Sequence, residues 1–215
     1  SSDRRTEETT DEKPAEQISQ SRRVAVPKSE IDSNRKVALI IGNSKYLGSP
    51  NIAPLKNPVN DAKAMTKVLK DLGFEVILKL DLTRDETVKV LDEFHEEIAG
   101  AAVTLFYYSG HGLQYKGENY LIPVTSVIES NSHIERYGVN FQELIAKLKD
   151  AETHTNILIF DACRNIPQFQ QSRSVSINSK VGLAEISAPS GTYIVYSTSP
   201  GQYALDGAGD HSPFT

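Results

Sequence analysis

Residues 101–112 read AAVTLFYYSGHG. A continuous apolar and aromatic run ending in Ser-Gly-His-Gly predicts a strand buried on both faces over 101–109, with His111 delivered at its carboxyl end. Residues 156–165, NILIFDACRN, repeat the arrangement: NILIFDA (156–162) reads as another buried strand and runs straight into Cys163. In open α/β sheets, sites form beyond the carboxyl ends of the strands. If these two strands are parallel neighbours, an imidazole and a thiol emerge at one edge of the sheet.

The sequence on either side supplies the rest of such a sheet. VALIIGN (37–43), FEVILKL (74–80) and TYIVYST (192–198) read as further strands. Between the first two, Asn57 has the position of an N-cap and Pro58 that of the first helical residue. Val59, Ala62, Met65, Val68, Leu69 and Leu72 then fall on one helical face, and Gly73 ends the helix. Thr83 and Glu86 have capping-box spacing, and the helix they open runs to about Ala99 with Val88, Leu91, Phe94, His95 and Ile98 inward. A hairpin (Leu113–Tyr115 with Asn119–Pro123) and a helix (Phe141–Lys149) complete the pattern. Strands alternating with helices predict an α/β fold, a mostly parallel central sheet flanked by helices on both faces.

Residues 1–35 are polar, charged and nearly free of aromatics, which predicts a flexible arm in which Val24, Ala25 and Val26 offer a short docking strand. The folded domain is expected over 36–215. The chain has 215 residues, 39% hydrophobic and 24% charged, with a net charge of −5. No Lys/Arg stripe favours a nucleic-acid partner. No apolar run approaches the roughly 20 residues that cross a bilayer. Residues 1–35 lack the apolar stretch of a signal peptide, so a cytoplasmic location is expected. The chain begins without Met, which leaves a removed targeting segment open.

There is one cysteine, Cys163. It excludes an intrachain disulfide and argues against a cysteine zinc site. Alone, such a residue is ordinarily a small buried hydrophobe, and SGHG alone is compatible with a tight turn bearing a solvent-facing His. Together they point to chemistry, because a thiol attacks a carbonyl as its thiolate and a nearby imidazole takes the proton. The glycines beside His111 predict a sharp turn with room for a substrate chain. The N–H groups of Gly112 and Cys163 are candidates for holding an oxyanion. Alternation along the strand places Asp161 beside Cys163, with an ion pair to Arg164 as its other reading. Asp61 lies in the first turn of the first helix, where stabilisation of the helix dipole is the simpler role. His95 is expected as a satisfied core residue and His133, His154 and His211 at the surface. Asp92, Glu96 and Glu97 read as a solvated helix face, and no metal site is expected.

YYSGHG (107–112) and DACRN (161–165) resemble the two signature blocks of the caspase-like cysteine peptidase superfamily, whose catalytic His lies about 50 residues before the Cys. The likeness is strongest to paracaspases, bacterial orthocaspases and type I metacaspases. VALIIGNSKY and LKNPVNDA (55–62) resemble the first strand and following loop-helix of the same group, so the similarity covers roughly 36–215. The resemblance implies a caspase-like sandwich and a cysteine endopeptidase using Cys163 and His111, with a catalytically silent scaffold or sensor module as the alternative. It implies a pocket for substrate Arg or Lys lined by Asp61, Asp161 and, more loosely, Asp206. Self-cleavage is then expected at Arg173 or Lys180, in the irregular loop 164–190. No cofactor is expected, except that metacaspases often need calcium. The chain ends at HSPFT, where related domains continue, so the small-subunit part looks cut short. A separate small-subunit chain or a homodimer is the partner this implies.

Overall fold

Val37, Ala38, Leu39, Ile40 and Ile41 have no solvent exposure at all. That is what a strand apolar on both faces requires, since each face must be covered. The computed structural model describes residues 32–48, 51–151, 153–163, 183–184, 186–197 and 209–215. Its elements are β1 (Asp32–Gly42), α1 (Pro58–Asp71), β2 (Glu75–Leu80), α2 (Arg84–Glu97), β3 (Ala101–Tyr115), β4 (Glu118–Leu121), α3 (Asn131–Tyr137), β5 (Val139–Asn140), α4 (Phe141–Asp150), β6 (Thr155–Cys163) and β7 (Thr192–Tyr196).

The strands form one seven-stranded sheet. Its parallel part has the order β2-β1-β3-β6-β7. β4 and β5 extend it antiparallel from the second half of β3. This is the mostly parallel α/β sandwich expected. Alternation along β1 divides its side chains between two cores. Val37, Leu39 and Ile41 join Phe106, Tyr108, Leu91 and Phe94 under α2 and α4. Ala38 and Ile40 join Leu105, Tyr107, Ala62 and Leu69 under α1. Each of the Val, Leu, Ile and Phe side chains contributes about 1.5–3 kcal/mol by leaving water. A third cluster, with Tyr46, Ile52, Leu55, Ile122 and Ile128, anchors the loops at the carboxyl edge.

α2 carries the predicted capping box: Glu86 N–H donates to Thr83 Oγ1 and Thr83 N–H to Glu86 Oε2. α1 departs from its reading twice. Asn57 is the N-cap and Pro58 the first helical residue, as read, but Asn57 makes no side-chain cap bond; the Val59 amide donates instead to Ser44 Oγ at 3.2 Å. The buried face is Pro58, Asp61, Ala62, Thr66 and Leu69, while Val68 and Leu72 are 52% and 57% exposed. The helix lies so close to β1 that a Cβ on Gly42 would stand 2.7 Å from Ala62 Cβ. That contact, with Asp61 turned inward, rotates the helix away from its most apolar face.

β1 begins at Asp32, ahead of residue 36. Arg35 bonds the Glu97 and Ala99 carbonyls at the end of α2 and pairs with Glu75 and Glu97. β5 and α3 had no clear sequence signal. Val24–Val26 and most of the loop 164–190 lie outside the described residues. At its end Leu183 is buried, and Ala184 N–H donates to Asn119 Oδ1 while its carbonyl accepts from Asn119 Nδ2.

Candidate active site

β3 reaches the carboxyl edge paired with β6, and the last residue pair of that ladder is His111 with Cys163. From Gly112 onward β3 exchanges partner and runs antiparallel to β4. The predicted sharp turn at SGHG is absent: β3 stays a single strand through Tyr115. The glycines serve close approach instead. A Cβ on Gly110 would stand 2.6 Å from Tyr46 Oη and 2.7 Å from Tyr108 Oη, and one on Gly112 would stand 3.1 Å from Ala162 Cβ.

His111 is 2% exposed, which removes the solvent-facing reading. Its Nε2 lies 2.8 Å from the Ala53 carbonyl oxygen. A carbonyl only accepts, so Nε2 carries a hydrogen, and the neutral tautomer with that hydrogen has its lone pair at Nδ1. The Tyr46 ring meets the imidazole edge-on, 4.4 Å between centroids.

Asp61 and Asp161 are both buried, at 0% and 2% exposure. One short segment joins them. Ser212 N–H donates to Asp61, 3.1 Å from Oδ1 and 3.3 Å from Oδ2, and Ser212 Oγ donates to Asp161 Oδ2. His211 Nδ1 lies 3.1 Å from Asp61 Oδ1. Thr215 Oγ1 and Tyr107 Oη donate to Asp161 Oδ2 at 3.4 and 3.5 Å. Burial above all pushes the Asp161 carboxyl above the usual carboxylate range; bonds from Ser212 and Ser197 oppose this, and the Asp61 charge adds to it. Burial, then the fields of Asp161 and Asp61, raise the Tyr107 phenol, which stays a hydroxyl donor. Lys56 Nζ on the Gly209 carbonyl and Asn60 Nδ2 on that of Asp210 strap the segment to α1 and the residues preceding it.

Residues 35–215 match the family model described as "Caspase domain". The chain belongs to the caspase domain family. It is 33% identical over 129 residues to mucosa-associated lymphoid tissue lymphoma translocation protein 1 of Homo sapiens, and equally to the homolog of Mus musculus. These alignments cover 60% of this chain and 15% of each relative. Caspase-1-A of Xenopus laevis is 29% identical over 146 residues, covering 62% of this chain and 35% of that one. The chain thus spans a small part of the relatives it matches.

In this caspase domain, His111 and Cys163 meet in register, and Asp61 and Asp161 meet through Ser212. Asp206, Arg173, Lys180 and the Arg164 partner considered for Asp161 lie outside the described residues. His95 donates from Nδ1 to the Lys147 carbonyl at 2.9 Å, as a satisfied inner histidine does. His154 and His211 are exposed, as expected, and His211 also touches Asp61. Asp92 and Glu97 pair with Lys147 and Arg35. Among the described residues, no group of three or more His, Cys, Asp or Glu side chains is arranged to hold a metal ion. Sequence reasoning missed Ser212, His211, Thr215 and Tyr107. Three polar residues in HSPFT and a Tyr inside an apolar strand were the available signals. Nothing in the sequence marks the Ala53 carbonyl.

Proposed function

We propose that this caspase domain is a cysteine endopeptidase that hydrolyses peptide bonds after Arg or Lys. The observation that carries the reading is the register of His111 with Cys163 at the end of neighbouring parallel strands. In this reading His111 Nδ1 takes the thiol proton and the thiolate adds to the scissile carbonyl carbon. The N–H groups of Gly112 and Cys163 hold the oxyanion, worth about 3–4 kcal/mol in comparable sites. The C–N bond breaks as His111 returns its proton to the leaving amine. Water, deprotonated by the same ring, then cleaves the thioester and frees the new carboxylate.

Substrate choice rests on Asp61 and Asp161. Two buried carboxylates in one hydrogen-bonded cluster favour a guanidinium or ammonium and repel an acidic side chain. Asp206 is proposed as a further wall of the pocket, Arg173 and Lys180 as self-cleavage positions, and the cytoplasm as the place of action. A small-subunit chain or a second copy is proposed as partner, and calcium remains a condition to be varied.

The test offers fluorogenic peptides ending in Arg, Lys or Asp to the protein and to its Cys163→Ala variant, with and without calcium. Turnover after Arg or Lys that the substitution abolishes is expected. Cleavage after Asp would overturn the pocket while keeping the dyad, and no turnover by a folded sample would favour the silent scaffold.

A further inference from the structure

The loop after β1 does more than lead into α1. β1 stops at Gly42, in register with Ser109, and its last ladder bond is Asn43 N–H to the Ser109 carbonyl at 2.9 Å. The next amide of β3 on that side belongs to His111, by the two-residue alternation of a strand. No strand residue remains to receive it. It donates instead to Tyr46 Oη at 2.8 Å. The His111 carbonyl accepts from Tyr108 Oη at 2.8 Å and from Ile122 N–H at 3.0 Å. The two phenol oxygens lie 3.4 Å apart, beneath the space a Gly110 side chain would fill. The same loop supplies the Ala53 carbonyl that fixes the ring tautomer.

We infer that Tyr46 and Tyr108 are positioning residues for His111: the Tyr46 phenol replaces the missing ladder acceptor, Tyr108 ties down the carbonyl, and together they set the base against the strand that carries Cys163. The inference rests on the peptidase reading above. It also explains Gly110, since any side chain there would displace both phenols.

The chain has a single cysteine, so iodoacetamide reports on Cys163 alone. In the whole protein, Tyr46→Phe is expected to lower kcat for an Arg peptide by about ten- to a hundred-fold, the scale of a misplaced catalytic group, with KM little changed. It should also slow alkylation of Cys163 at neutral pH. A merely structural loss has the opposite sign, because a loosened fold alkylates faster. Tyr108→Phe, which leaves Ile122 on the His111 carbonyl, should shift both readouts the same way but less, and serves if Tyr46→Phe does not fold. Tyr120→Phe removes a buried phenol bonded to Glu118 and should leave kcat and alkylation unchanged. Unchanged or faster alkylation in the folded Tyr46 and Tyr108 variants, with parent kcat, would overturn the inference and leave the peptidase reading intact. A folded parent without turnover, whose alkylation rate is indifferent to His111→Ala, would sink the peptidase reading and the inference with it.

Discussion

The base side and the acid side of this site are built in different ways. His111 is held by neutral partners, a loop carbonyl on its ring and two buried phenols on its backbone. Asp61 and Asp161 are buried like-charged groups whose bonds come largely from one short segment, 211–215. A neutral cradle costs the fold little and fixes geometry. Two buried carboxylates with no buried Lys or Arg beside them among the described residues, and only the half-exposed His211 on Asp61, oppose folding and are explained by what they are meant to bind.

That contrast breaks first at Asp161. Asp161→Asn is expected to cut kcat/KM for Arg peptides by about a hundredfold or more, as loss of a buried charged partner does. Thermal denaturation at neutral pH should show no loss of stability, since the penalised charge is gone. An unfolded variant would mean that the acid is structural.

The next effect is on pH. The folded Asp161 carboxyl sits above its usual range, so protonation is favoured by folding. Its contribution to stability is therefore greatest at low pH and falls as pH rises from the unfolded carboxyl value through the folded one. Binding of a cationic side chain has the opposite sign and strengthens across the same interval. KM for an Arg peptide should fall with rising pH there, and Asp161→Asn should abolish that dependence.

Smaller still is Ser212→Ala, which removes a donor to Asp161 but keeps the amide on Asp61. A several-fold rise in KM is expected, from a hydrogen bond to a charged group worth about 1.5–3 kcal/mol less what a bound cation restores. A fall in kcat alone would place Ser212 on the base side instead.

The contrast also governs how much was legible. Strands buried on both faces, such as 37–42 and 101–109, announce themselves by unbroken apolar runs, and Thr83 with Glu86 gave a start for α2. The neighbouring of β3 and β6 was the condition on which pairing His111 with Cys163 depended, and the two strands do lie side by side in parallel. The inward face of α1 was legible at Ala62, Met65 and Leu69 but was drawn too wide at Val68 and Leu72 and left out Asp61 and Thr66, because polar burial there has no apolar signal. SGHG was misread as a turn because glycine signals either a bend or a close approach, and only the phenols beneath Gly110 decide between them. Ser212 and Ala53 contribute an amide, a hydroxyl and a carbonyl from loops, and such partners have no periodicity to betray them.

The most direct measurement is covalent labelling by an arginyl peptide carrying a chloromethyl ketone, followed by mass analysis of the peptide containing residue 163. One adduct per chain on Cys163 is expected, competed by an Arg peptide and strongly reduced by His111→Ala. A folded protein that takes no label, or labels as fast without His111, would contradict the pairing of imidazole and thiol on which everything here rests.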